Sequence, residues 1–384
     1  MITAVFILVA LLTLLSDWVA YSRSGRKVAV AIVLIVLNII PVISIALTAL
    51  CNDNTQPLMH ITSWSLTIYT IATLVRIALY FGWFICRSRV VGAVLALTIF
   101  AVLANSLINT RRALVVKERT ISHNAIPESF NGFRIVLFSD LHIGSLIAPE
   151  REISALVKRI NEQRADMVIF AGDMLHIRHT ELTEGIANIL SRIDAPHGVY
   201  AVLGNHDTGT YIKDSTALSM DENIACFNTK IGQIGWHLLR DSTIYAVRGR
   251  DSIAVTGIDY TDALLEYKHS FNTPNSFSAT EIFAQVPDSL FNIAISHLPQ
   301  LWQPISSGNS AELTLSGHVH ATQIAVNIFG KRLSPAMLMY KQWSGAYEDE
   351  RGNHLYITDG IGSVGFYLRI GANPEITLIE LQHR

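Results

Sequence analysis

The chain has 384 residues and a formal net charge of −2, from 29 Lys and Arg against 31 Asp and Glu. That balance leaves no electrostatic footprint for nucleic acid, and no basic stripe with interleaved aromatics supplies one locally. The three cysteines, Cys51, Cys86 and Cys226, are scattered and odd in number, which argues against both a disulfide framework and a thiolate metal site.

Charge is unevenly spread. Of the 60 charged side chains only eight lie in the first 110 residues: Asp17, Arg23, Arg26, Lys27, Asp53, Arg76, Arg87 and Arg89. Between them run four apolar stretches, 2–21, 28–50, 64–86 and 90–109, each close to the ~20 residues that cross a hydrocarbon core as a helix. A helix satisfies its own backbone hydrogen bonds, as lipid demands. Trp18, Trp64 and Trp83 sit near span ends, where amphipathic rings favour the interface, and Pro41 is positioned to kink the second span. Buried helices of a soluble protein would alternate with polar faces, which these do not. The start Met1-Ile2-Thr3 lacks the basic region of a cleaved signal peptide. Arg76 falls mid-span, so it either pairs inside the bundle, with Asp17 the nearest candidate in depth, or snorkels to an interface. The first and third short loops carry Arg23, Arg26, Lys27, Arg87 and Arg89, and the second carries no Lys or Arg. The positive-inside rule then puts both termini outside, with the later domain on the periplasmic face of an inner membrane, although Arg111, Arg112, Lys117 and Arg119 pull the other way.

The sequence predicts a transmembrane region over 1–110, a connector over 111–131 and a soluble domain over 132–384. In that domain strands are expected at 134–138, 167–171, 198–203, 253–257, 291–296 and 313–316, with helices at 149–163 and 182–193. Strands alternating with helices indicate an α/β domain with helices packed over sheets. Between 214 and 278 the periodicity is otherwise poor.

Polar chemistry gathers at the ends of the strands. The first ends in Asp140-Leu141-His142, the second in Gly172-Asp173 and the third in Gly204-Asn205-His206-Asp207. A later strand ends at His297, and the last at Gly317-His318-Val319-His320. Alternation along an extended segment predicts Asp140 and His142 on one side, where carboxylate and imidazole can share an ion. Open α/β sheets build sites at the carboxyl ends of their strands, so the five clusters are expected to converge. Glycines there permit sharp turns and close backbone approach. Asp, His and Asn donors suit manganese, iron or zinc.

This ordered set, Asp-x-His, Gly-Asp, Gly-Asn-His-Asp, a single His and Gly-His-x-His, resembles the calcineurin-like metallophosphoesterases. The lead-in Ile126-Pro127-Glu128-Ser129-Phe130-Asn131-Gly132-Phe133-Arg134-Ile135 and the tail Pro374-Glu375-Ile376 are similar to the membrane-associated bacterial branch of that family. The resemblance implies two face-to-face β-sheets flanked by helices. It implies that Asp140, His142 and His320 bind a first metal, that Asn205, His297 and His318 bind a second, and that Asp173 bridges both. His206 would face the phosphate, with Asp207 orienting its ring and favouring its protonated form. Ala321-Thr322-Gln323 departs from the pattern, since relatives often carry two glycines after the last histidine. His176 and His179, which follow the Gly-Asp strand, are expected in an exposed loop, with the substrate mouth as the alternative, and Tyr340 and Trp343 as core or surface aromatics, with a pocket wall as the alternative.

Two divalent ions (Mn²⁺, Fe²⁺/Fe³⁺ or Zn²⁺) in such a site clamp a phosphoryl group while a hydroxide held between them attacks phosphorus. The expected activity is a membrane-anchored phosphoric-ester or pyrophosphate hydrolase. An anchor raises the local concentration of substrates held at the membrane, such as a lipid phosphate or lipid-linked diphosphate. Nucleotide and phosphoprotein substrates stay open, as does a metal-containing sensing or binding module without catalysis.

Overall fold

The computed structural model describes residues 2–384 apart from 24, 26, 30, 33, 36–37, 40–41, 44–55, 213–218, 262–263, 265–276 and 309. Its chain divides into a helical unit, made of the residues up to Arg112 together with Val364–Ile370, and a sheet unit that begins at Ala113.

In the helical unit, α1 (Ile2–Arg23) covers the first expected span, and the second, 28–50 with Pro41, lies largely outside the described residues. α2 (Gln56–Tyr80) continues through a wider turn, Phe81–Ile85, and α3 (Arg89–Ile108) follows. Among the described residues two stretches, Pro57–Ile85 and Arg89–Arg112, rather than the four expected, are long and apolar enough to cross a membrane. Ser88 caps α3 by accepting from the Val91 amide. Gly82 lies so close to the Gly92 backbone that a side chain at Gly82 would collide with it, the small-residue crossing that lets two helices approach. Arg76 pairs inside the bundle: its Nη1 is 3.2 Å from both carboxylate oxygens of Asp17, which also accepts from Asn38 Nδ2 at 2.8 Å. Val364–Ile370 packs with these helices. The Tyr367 amide donates to Thr67 Oγ1 at 2.9 Å, the Arg369 amide pairs with Ser106 Oγ at 3.0 Å, and Arg369 is wholly buried.

The sheet unit contains, in chain order, β1 (Val115–His123), β2 (Phe133–Phe138), β3 (Met167–Phe170), β4 (Val199–Ala201), β5 (His237–Leu238), β6 (Ser242–Arg248) and β7 (Asp251–Gly257). Then come β8 (Asn292–Ile295), β9 (Leu313–Ser316), β10 (Val326–Ile328), β11 (Lys331–Leu333), β12 (Gly345–Glu348), β13 (His354–Ile357) and β14 (Glu375–His383). Every strand expected from the sequence forms, within a residue or two at its ends. β1 arises inside the stretch expected as a connector. In the poorly periodic region, β5, β6 and a helix, Met220–Gln233, appear among the described residues.

Among the described residues twelve of these strands make two six-stranded sheets, ordered β1-β14-β2-β3-β4-β5 and β12-β13-β9-β8-β7-β6, and β10 and β11 pair with each other. β2, β3 and β4 run parallel in the first, and β7, β8, β9 and β13 run parallel in the second. Alternation explains the layers. Ile135 and Leu137 of β2 and Ile169 of β3 join Val255, Ile293, Ile295, Leu313 and Leu315 in one apolar cluster between the sheets. Val136, Phe138, Val168 and Phe170 face the other way, onto α4 (Pro149–Asn161). α4 is written for that place: Pro149 opens it, Glu150 and Glu152 sit in its first turn, and Lys158 and Arg159 close it. Its buried stripe, Ile153, Leu156, Val157 and Ile160, has helical spacing. Burying each such side chain is worth about 1.5–3 kcal/mol. The parallel strands of both sheets thereby end on one edge of the sandwich.

Candidate metal centre

β2 stops at Phe138, and Asp140 and His142 do not share a strand face as alternation predicts. Both lie in the left-handed region, at φ 54° and 43°. What holds them is the neighbouring loop: the Asp140 amide donates to the Gly172 carbonyl at 2.8 Å, His142 to Asp173 at 3.1 Å and Ile143 to Met174 at 2.9 Å. Asp173, His318 and His320 also have positive φ. Five of the seven expected metal donors therefore occupy a strained backbone, a cost the surrounding packing must sustain. The glycines make room for the rest. A β-carbon on Gly204 would strike the Asp173 side chain, and one on Gly317 would strike Ser139 and Asp140. After His320, Ala321, Thr322 and Gln323 all take left-handed φ, 48°, 49° and 61°, so non-glycine residues here adopt a conformation that glycine would enter without strain.

All seven expected donors converge. Asp140, His142 and His320 place one donor atom each within 4.8 Å of one another, as do Asp173, His297 and His318. In the first group His320 Nε2 is 3.2 Å from Asp140 Oδ1 and 3.1 Å from His142 Nε2. In the second, His297 Nε2 is 3.2 Å from each of Asp173 Oδ2, Asn205 Oδ1 and His318 Nδ1. Asp173 Oδ2 also lies 3.7 Å from His142 Nε2, so one carboxylate oxygen stands between the groups.

The ring nitrogens show that a cation fits here. His142 Nδ1 donates to the Leu175 carbonyl at 3.2 Å and His297 Nδ1 to the Ala171 carbonyl at 2.8 Å. In each ring this fixes the tautomer and turns the Nε2 lone pair inward, the outer-shell arrangement found behind metal-bound histidines. With the rings neutral, these inward nitrogens and oxygens at about 3 Å repel unless a proton or a metal ion lies between them, and the two buried carboxylates supply the matching charge. Burial opposes a charge on His297, but the Asp173 and Asp140 carboxylates raise it to about 9 in the metal-free pocket. Burial, reinforced by His206, holds His142 well below its ordinary value.

His206 stands beside this centre, its ring 4.6 Å from that of His142. Asp207 does not orient it. The Asp207 carboxylate instead accepts from the amides of Asp173 (2.8 Å), Leu175 (2.9 Å) and Gly204 (2.9 Å), joining the loops after β3 and β4. Burial and the Asp173 carboxylate push it up to about 7. The partner of His206 Nδ1 is the His176 carbonyl, 2.6 Å away. Nor is the protonated ring favoured: burial lowers His206, with Asp173 and the His176 carbonyl opposing.

Several residues around the centre carried a weak sequence signal or none. His176, expected in an exposed loop, is half-buried and groups with His142 and His206. Its amide donates to Glu181 Oε2 at 2.6 Å, and the same oxygen accepts from Gly144 at 3.0 Å, so Glu181 joins two loops of the site. His179 pairs with Asn223 Oδ1 through its amide, at 2.9 Å. Tyr211 stacks on His206 at 4.2 Å, and its Oη accepts from Asn205 Nδ2 at 3.0 Å, which turns Asn205 Oδ1 toward His297. Tyr340 Oη is 3.3 Å from His318 Nε2, which makes it a wall of the site. Motif spacing reveals donors on strand ends and says nothing of an aromatic delivered by a loop.

A family model described as calcineurin-like phosphoesterase matches residues 133–322. The metallophosphoesterase YkuE of Bacillus subtilis is 27% identical over 268 residues, 69% of this chain and 84% of that protein. A transmembrane protein with metallophosphoesterase domain from Danio rerio is 29% identical over 297 residues, which are 75% of this chain and 62% of the fish protein. The UDP-2,3-diacylglucosamine pyrophosphatase LpxG of Chlamydia muridarum is 33% identical over 90 residues, 23% of this chain and 27% of that one. Through residues 133–322 the chain belongs to the calcineurin-like metallophosphoesterases, metal-dependent hydrolases of phosphoric esters.

Proposed function

We propose that this chain is a membrane-anchored binuclear phosphoesterase acting on a phosphate ester or pyrophosphate bond of a lipid-linked substrate. Residues 1–110 are the four-span anchor, and the sheet unit that begins at Ala113 carries the chemistry, on the outer face. Asp140, His142 and His320 hold one divalent ion, Asn205, His297 and His318 the other, and Asp173 links them. The observation that carries the reading is Asp173 Oδ2, poised between the two donor groups at 3.2 and 3.7 Å. When bound, two such ions polarise phosphoryl oxygens and lower the pKa of coordinated water. His206 does the rest. Its Nδ1–H is committed to the His176 carbonyl, so Nε2 serves the substrate, and a phosphate's negative charge offsets the burial that keeps the ring neutral. Charged in this way, Nε2 donates its proton to the departing oxygen and is left neutral.

The apolar stretches Pro57–Ile85 and Arg89–Arg112 support the anchor, as does the fish relative's description as a transmembrane protein. The Chlamydia relative's name supports a diacylated pyrophosphate substrate. Elemental analysis paired with turnover tests the chemistry. His206→Ala is expected to keep two ions and lose about 10²–10⁴ of turnover, and Asp173→Ala to lose both ions together. A wild-type protein that carries two ions yet hydrolyses no monoester, diester or pyrophosphate would instead be a sensing module. A reporter fused after Arg112 tests the outward placement, and cytoplasmic-type activity would reverse it.

A further inference from the structure

Between His320 and β12 the chain runs 24 residues, 321–344, without an Asp or Glu and with three cations, Lys331, Arg332 and Lys341. It is rooted in a small buried cluster that includes Val319, Ala321, Ala336 and Tyr340. Ser334 Oγ donates to the Ala321 carbonyl at 2.7 Å, and Tyr340 reaches His318. From this root the β10–β11 hairpin projects, with all of β10 exposed. Its two turn residues, Phe329 and Gly330, have φ of 49° and 77°, the primed turn of a two-residue hairpin. The first of those positions normally takes Asn, Asp or Gly, and a bulky residue there is strained. Here it holds a phenylalanine whose side chain is fully exposed. Ile328, just before it in β10, is 46% exposed, and in the short helical turn Pro335–Leu338 that follows the hairpin Leu338 is 81% and Met337 46% exposed. Arg332 is engaged by Asp359 and Ser344, whereas Lys331 and Lys341 face solvent. Strain and apolar exposure at the same tip both cost stability for the isolated domain, which is the mark of an interaction surface.

We propose that this lip, the β10–β11 hairpin with Pro335–Leu338, seats on an anionic lipid surface. Phe329, Leu338, Ile328 and Met337 enter the acyl boundary while Lys331 and Lys341 meet the headgroups. Apolar tips flanked by lysines and free of acidic residues match that surface in charge as well as polarity. The inference rests on the anchored reading above, which keeps a bilayer within reach of a tethered domain. Because the lip grows from the His318–His320 loop, seating it would bring the metal centre to the depth of lipid headgroups.

The test is hydrogen exchange across 324–341 in the full-length chain. It is compared in detergent, in phosphatidylcholine nanodiscs, and in nanodiscs that also contain phosphatidylglycerol. Exchange is expected to slow several-fold in the anionic nanodiscs. Phe329→Asp/Leu338→Asp, both at solvent positions that leave folding and metal content intact, should abolish that protection. Lys331→Gln/Lys341→Gln should erase the difference between the two lipids. Equal exchange in detergent and nanodiscs overturns the proposal, and so does protection that survives the double aspartate variant. Protection in detergent that grows with protein concentration assigns the lip to a second copy of the chain, and also overturns it. Failure of the anchor itself is separately visible as release from membranes in an alkaline wash.

Discussion

Asp207 and His206 are adjacent in sequence, yet their side chains serve different loops. The carboxylate binds three amides and the imidazole binds a carbonyl that arrives from His176. Tyr211 has the corresponding role for Asn205: an amide side chain can present either end to a cation, and the Oη acceptor settles which. Tyr211→Phe keeps the ring over His206 and removes that acceptor. The second ion should then bind about 10–100-fold more weakly with the first unaffected, read as stoichiometry falling from two toward one at limiting metal. Two ions at unchanged affinity would remove Tyr211 from this role. A proton linkage belongs at the same scale. His297 in the metal-free pocket is raised to about 9, above its ordinary value near 6.5. Its charged form therefore stabilises the empty fold fully below pH 6.5, and that contribution fades as pH rises through 9. A divalent ion needs the neutral ring, so uptake at pH 7–8 should release about one proton from His297, with apparent affinity falling about tenfold per unit as pH drops. Titration calorimetry in buffers of different ionisation enthalpy measures that release.

Among the elements, β1 shows how an edge is secured. It pairs in parallel with β14 over nine residues, Val115 to His123, at the end of its sheet. From it Lys117 reaches inward to two buried carboxylates, Glu375 by a close ion pair and Asp359 at 3.4 Å. Asp359, which also pairs with Arg332, is held below the usual carboxylate range by those two cations despite its burial. Breaking such a group strands a charge in the core. Lys117 is itself partly exposed, so Lys117→Met should cost toward the low end of about 3–5 kcal/mol, with partial rescue by Lys117→Met/Glu375→Gln, in thermal melts of the detergent-solubilised protein. In the sequence Lys117 registered only as a juxtamembrane charge, because nothing local indicates that residues 242 and 258 positions later will be its partners.

At the scale of the molecule, the proposed donors come from loops of both sheets, so divalent ions would tie the two halves of the sandwich together. Chelation should lower the melting temperature of the sheet unit, and a metal at about 1,000 times its dissociation constant should restore about 4 kcal/mol. Differential scanning calorimetry with and without added Mn²⁺ checks this, and a melting temperature indifferent to chelator would deny the link. The six expected strands, the amphipathic stripe of α4 and the polar clusters at strand ends were legible beforehand, because periodicity and residue chemistry are local properties written in order along the chain, whereas β1, β5, β6 and the strands after β9 were not. The Arg76–Asp17 pairing was half legible, since depth in an apolar span can be counted but a partner can only be guessed. Left-handed backbone at Asp140 and His142, the His176 carbonyl behind His206, the Tyr211 brace and the exposed tip at Phe329 were not. Each depends on what another loop, far along the chain, does to a given backbone or leaves uncovered. Sequence by itself determined which atoms could hold an ion or enter a bilayer, and only tertiary structure decided which of them meet, because loop conformation is set by long-range neighbours rather than by the residues within the loop.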